Sequence, residues 1–170
     1  AEVYQRMAQD GVEHIISIHL ASDLSGTYQS SVLAANMVHD TVTVHNIDSR
    51  NATIGMGLIV LSAAQMVESG MALEAILEQL QQIVAKTEIY FLLDSLDNLH
   101  KGGRIGKASQ LVGSLLNIKP ILCLKDGVIS AYEKVRGNKG NKAQERLIDI
   151  LLEKIDPDKK VYCVIGYCDN

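Results

Sequence analysis

The sequence predicts a mixed α/β protein in two portions: a parallel-sheet β/α portion over 1–86, then an α+β portion with an antiparallel hairpin over 87–170. Three observations carry this. Up to residue 86, short apolar or β-branched runs alternate with helix-length segments, as parallel β/α units require. Later, Lys125-Asp126-Gly127 separates two strand-like runs, and Asp-Gly is a favoured pair in tight hairpin turns. Finally, 47% of the 170 residues are apolar, enough for a core and too many for a disordered chain.

The elements follow in order. "EVYQRMAQDG" reads as a helix stopped by Gly11. "HIISIHLA" is a strand, "TYQSSVLAANMV" a helix, and "TVTVHNIDS" a second strand rich in β-branched residues. "IGMGLIVLSAAQMVES" is apolar nearly all round, which predicts a buried helix, and Gly70 stops it. "ALEAILEQLQQIVAK" is amphipathic: Leu73, Ile76, Leu77, Leu80, Ile83 and Val84 share a face, with Glu74, Glu78 and Gln81 outside it. "EIYFLLDS" reads as a third strand, "SQLVGSLL" as a short helix and "PILCLKDGVISAYEKVR" as the hairpin. "NKAQERLIDILLEKI" is an amphipathic helix and "KKVYCVIGYC" a final strand.

The length fits one ordinary domain or pieces of two. No apolar run reaches the 18 residues of a membrane span, and no signal-like segment opens the chain. It begins at Ala1, as a processed or cut chain would. The three cysteines, Cys123, Cys163 and Cys168, form no C-x-x-C pair, which predicts reduced thiols and a cytoplasmic location. The five histidines lie scattered, without zinc-site spacing, so no metal is expected.

Ser25-Gly26-Thr27 draws attention because it stands where the first strand gives way to a helix. Three uses fit it. One is a plain helix cap by Ser25 or Thr27. Another is an anion site, since a helix N-terminus at the carboxyl end of a parallel strand offers N–H donors, and glycine lets a ligand near the backbone. The third is a nucleophilic serine, although L-S-G-T is not the G-x-S-x-G elbow. Asp48, Ser49 and Asp94 end their strands, and a turn or cap role suffices for them.

"KGGRIGKAS" fails as a phosphate-binding loop: Lys101 stands where the first glycine belongs, and Ala108 follows Lys107. "GMGLIV" fails as a dinucleotide motif because Val60 replaces the third glycine. The surrounding stretch is basic. From His100 to Arg146, ten Lys or Arg stand against three Asp or Glu, a net +7, and the remainder has six against seventeen, a net −11. Such a stretch is either a solvated surface or a dock for an acidic partner. Its single aromatic, Tyr132, argues against nucleic acid. Arg104 is then a surface arginine or an exposed recognition residue on a glycine-rich loop.

"LSGTYQS", "IDSRNATIGMGLIV", "LDNLHKGGRIG", "LLNIKPIL" and the spacing G-x-I-x-x-x-x-K-V-R-x-x-K, in this order, resemble the DegV family of bacterial fatty-acid-binding proteins. The resemblance implies two domains clamping one long-chain fatty acid, with the acyl chain in an apolar tunnel. Ser25 would bond the carboxylate, with Gly26 and Thr27 shaping the helix end. Tyr167 would occupy the place of a family histidine near the carboxylate. Ile118, Pro120, Ile121 and Leu122 would touch the acyl chain, while Arg104 and Lys107 would dock a fatty acid kinase. That kinase makes an acyl-phosphate for phospholipid synthesis, so the chain would be a carrier rather than an enzyme, with no cofactor. Family chains are longer at both ends, and this one is expected to be an internal fragment. Two rival expectations are a serine hydrolase or acyltransferase using Ser25, and an interaction module that binds no lipid.

Overall fold

The computed structural model describes residues 1–111, 118–137 and 141–167. The chain divides into two compact units, Ala1–Thr87 and Glu88–Asn170.

The first unit runs α1 (Glu2–Gln9), β1 (His14–His19), α2 (Thr27–Asn36), β2 (Thr43–Asp48), α3 (Thr53–Glu68) and α4 (Leu73–Lys86). The two strands pair in parallel, from His14 opposite Thr43 to His19 opposite Asp48. Because side chains alternate along a strand, each face of this ribbon buries a different set. Ile15 and Val44 lie with Val38, Val42 and the α1 residues Tyr4, Met7 and Ala8. Ile16, Ile18 and Ile47 lie with Ile59, Ala63, Met66, Ile76 and Leu80 from α3 and α4. Full burial of a side chain such as Ile59 or Leu80 contributes about 1.5–3 kcal/mol.

Of the apolar face expected on α4, Ile76 and Leu80 are buried and Ile83 and Val84 pack beside them, while Leu73 and Leu77 are half-buried. The all-round burial expected of α3 does not occur. Ile59, Ala63 and Met66 are buried, but Ile54, Val60, Leu61 and Val67 are exposed. The helix packs against α4 and β1, which cover a single stripe of it. Gly70, at φ +74, follows the helix in the left-handed region, the conformation glycine adopts without strain.

The second unit holds β3 (Tyr90–Phe91), α5 (Asp97–Lys101), a 3₁₀ turn (Gly106–Leu111), β4 (Ile118–Lys125), β5 (Val128–Arg136) and α6 (Lys142–Lys154). The strands form one antiparallel sheet in the order β3-β4-β5. Asp126 and Gly127 have φ +53 and +80, so both central residues of the hairpin turn are left-handed, as a type I′ turn demands. Gly106 is also needed: at φ +54, a Cβ there would stand 2.6 Å from the Ile129 carbonyl oxygen. Arg146 on α6 ties that helix to β5, pairing with Glu133 at 3.0 Å and with Glu153 at 2.7 Å.

Two expectations change here, and a third falls mostly outside the described residues. The third strand is two residues long rather than eight, and it belongs to the antiparallel sheet. Of the short helix expected over 109–116, residues 109–111 close the 3₁₀ turn Gly106–Leu111, and residues 112–116 lie outside the described residues. The final strand does not form over 159–167. A strand needs a backbone neighbour to complete its ladder, and none of the described residues pairs there. Tyr162 and Ile165 are accordingly 62% and 84% exposed, and Cys168 lies outside the described residues. No helix among the described residues is long and apolar enough to cross a membrane.

Candidate ligand-binding site

β1 and β2 end side by side, and their following loops are bonded together. Ser49 N–H donates to the His19 carbonyl at 3.0 Å, and Ala21 N–H to the Asn51 carbonyl at 2.8 Å. Asp48 gathers the rest: its carboxylate accepts from Ser22 Oγ at 2.6 Å and from Arg50 N–H at 2.9 Å. Ser49, fully buried, donates its hydroxyl to the Asn51 carbonyl and accepts the Asn51 N–H. Asp48 and Ser49 thus take the turn roles expected of them. Asp94 instead forms an exposed ion pair with Lys119 at 3.1 Å.

Two helices start from this carboxyl edge, α2 at Thr27 and α3 at Thr53. Each presents first-turn N–H groups that have no partner within the helix, together with the positive end of the helix dipole. Gly26 is the N-cap residue of α2, and no side chain caps that helix. This corrects the expectation that Ser25 or Thr27 caps it. Ser25 sits one residue too early: its Oγ accepts the Thr27 N–H at 3.3 Å and bonds Thr27 Oγ1 at 2.7 Å. Ser25 is half-buried, whereas Gly26 and Thr27 are exposed. A Cβ on Gly26 would meet nothing within 4 Å, so the approach to the helix end is open.

The start of α3 carries backbone strain. Arg50 and Thr53 have φ +49 and +46, which is unusual for any residue and costly for a β-branched one. Asn51 between them holds the loop. It is buried, and its Nδ2 donates to the carbonyls of Ser49 at 3.2 Å and Thr87 at 3.3 Å. Its Oδ1 lies where a Cβ of Gly55 would stand only 2.6 Å away. Glycine at 55 therefore makes room for the amide.

A polar network lies on the α1 and α2 side of the sheet, and sequence reasoning missed it. Tyr4 OH bonds Ser17 Oγ at 2.7 Å and Ser31 Oγ at 2.8 Å; Ser17 Oγ bonds His19 Nε2 at 2.8 Å; Ser31 donates to Asn46. Burial holds the His19 pKa below the ordinary imidazole value, favouring the neutral ring. The available signal was the alternation in "HIISIH", which puts Ser17 and His19 on one face of β1.

The other expected site residues belong to the second unit. Ile121 and Leu122 are fully buried in β4, Pro120 is buried and Ile118 half-buried. Tyr167 is 84% exposed, outside any strand. Arg104 and Lys107 are exposed near the 3₁₀ turn, and Arg104 Nη1 donates to the Gly102 carbonyl at 2.7 Å.

The chain was compared with known proteins on this footing. A family model described as "Uncharacterised protein, DegV family" matches residues 1–170. A DegV domain-containing protein of Halalkalibacterium halodurans is 38% identical over 169 residues, covering 99% of this chain and 59% of the relative. A solved structure described as fatty acid binding of a DegV family protein from Thermus thermophilus superposes with a TM-score of 0.80 at 38% identity. That match covers 89% of this chain and 52% of the other. A stearic-acid-binding protein from Eubacterium ventriosum matches with a TM-score of 0.81 at 26% identity, covering 89% and 52%. The chain spans about half the length of the curated relatives it matches.

Proposed function

This chain belongs to the DegV family, and from that premise we propose that it binds a long-chain fatty acid as a carrier and presents it to a separate fatty acid kinase. One observation carries the reading: an uncapped helix N-terminus with Ser25 beside it, at the carboxyl edge of a parallel sheet. Those groups suit a carboxylate. Ser25 donates to it, Gly26 leaves the approach open, and Thr27 orients the serine hydroxyl. Solved relatives described as fatty-acid-binding support the ligand class.

Burial of the alkyl chain supplies affinity, about 0.8 kcal/mol per methylene, and the polar turn supplies orientation. Ile118, Pro120, Ile121 and Leu122 are proposed for the apolar side, with Ile118 the least buried of the four. Tyr167 is proposed to donate to the carboxylate. Arg104 and Lys107 are proposed to face the kinase. We place the protein in the cytoplasm and assign it no cofactor and no catalysis of its own. Denaturing mass spectrometry of the purified full-length protein tests the proposal by releasing whatever it carries. A stoichiometric long-chain fatty acid is expected. Absence of lipid, with no binding on titration, would overturn it.

A further inference from the structure

His14 opens β1 and His45 lies in β2, 31 residues away in sequence. Parallel pairing sets His45 opposite Ile16, so the two histidines are diagonal neighbours on one face of the ribbon. Their rings converge: His45 Nε2 stands 3.4 Å from His14 Nδ1, with ring centroids 5.5 Å apart and planes inclined by 33°. His14 is exposed and His45 half-buried. Glu74, in the first turn of α4, is exposed and near enough for its charge to favour protonation of His45, while the His14 charge opposes it.

We infer that His14 and His45 form a binding site for a borderline divalent transition-metal ion such as Zn²⁺, Ni²⁺ or Cu²⁺. Neutral imidazole nitrogen is a preferred ligand for these ions. Two Zn–N bonds of about 2.1 Å at a tetrahedral angle hold their nitrogens about 3.4 Å apart, which is the spacing found between these rings. At 3.4 Å one inner nitrogen can carry an N–H directed at the other, the choice depending on the tautomer. A tautomer change moves that proton to the outer nitrogen of its own ring and frees both inner lone pairs, with no other reactant needed. Among the described residues no group of three or more His, Cys, Asp or Glu is placed to hold a metal. The pair therefore supplies two ligands and water completes the shell, which makes an exchangeable site. Glu74 adds a negative charge beside it.

The site is independent of the proposed lipid function. His14 lies at the opposite end of β1 from the Ser25 turn, and five residues of strand span roughly 16 Å.

The test is calorimetric titration of the purified protein with Zn²⁺ and with Ni²⁺ at about pH 7.5, alongside His14→Ala, His45→Ala and Glu74→Gln. One ion per chain is expected, reversed by chelator, with ¹⁵N shifts at His14 Nδ1 and His45 Nε2. Removing even an outer-shell partner commonly costs 10–100-fold in metal affinity, so loss of either histidine should cost at least about tenfold. Glu74→Gln should cost less. His45→Gln, which keeps a polar side chain of similar reach, guards against loss of folding and should weaken binding as the alanine does. Zn²⁺ affinity unchanged in both histidine variants, or no one-to-one binding in the parent, would overturn the inference. Lipid content, measured in the same samples, should not change.

Discussion

Replacing Ser25 with alanine separates a proposed ligand role from a folding role, because the two carry losses of very different size. The Ser25 hydroxyl has Thr27 as its partner, through a long 3.3 Å bond from the Thr27 N–H and a 2.7 Å bond to Oγ1. Both groups are reachable by water, since Thr27 is exposed. Losing this local bond should cost no more than the lower end of the usual 0.5–1.5 kcal/mol range, about 0.5 kcal/mol. For a chain of this size that is a drop of roughly 1–2 °C in Tm. A hydrogen bond to a carboxylate is worth more, about 1.5–3 kcal/mol, or about a 10- to 150-fold loss of affinity. Delipidated parent and Ser25→Ala protein would be titrated with oleate by displacement of a fluorescent fatty acid, with Tm recorded on the same samples. The expected result is a Kd raised at least about tenfold with Tm nearly unchanged. Unchanged affinity would refute the carboxylate role, and a large fall in Tm would show that the turn holds the fold instead.

Arg104→Glu should leave folding and lipid content intact but slow kinase-dependent phosphorylation of the bound acid. Because rim charges act mainly on association rate, raising ionic strength should slow the parent more than the variant; parent-like kinetics at low salt would remove Arg104 from the interface. Gly106→Ala should destabilise the second unit by about 1–3 kcal/mol, since the residue is left-handed and its Cβ would meet the Ile129 carbonyl at 2.6 Å; an unchanged denaturation midpoint would contradict the packing. Stability should fall as pH drops from neutrality. His19 and His45 are both held below the ordinary value of 6.5, mainly by burial, so the unfolded chain takes up these protons first. Their contribution is complete above about pH 6.5 and is lost on descending through the lower folded values. Urea midpoints between about pH 7.5 and 5 check this, and His19→Gln should flatten the profile.

Much of this molecule follows from local sequence. β/α alternation, the Asp126-Gly127 turn, the buried stripe of α4 and the span of α6 were all legible, because each depends on periodicity or turn chemistry within a few residues. The Ser25-Gly26-Thr27 turn was legible for the same reason: a strand-to-helix junction announces itself locally. What tertiary structure alone decided depends on partners. "KKVYCVIGYC" has strand composition, yet no ladder forms among the described residues because composition supplies faces and not a neighbour. α3 is apolar nearly all round, but the surfaces packed on it cover one stripe. The network of Tyr4, Ser17, His19, Ser31 and Asn46 draws on four elements, and strand alternation joins only Ser17 and His19. No spacing rule joins His14 and His45, brought within 3.4 Å by the register of two parallel strands. A sequence specifies which side chains share a face of one element; which faces meet is settled by the packing of the whole unit.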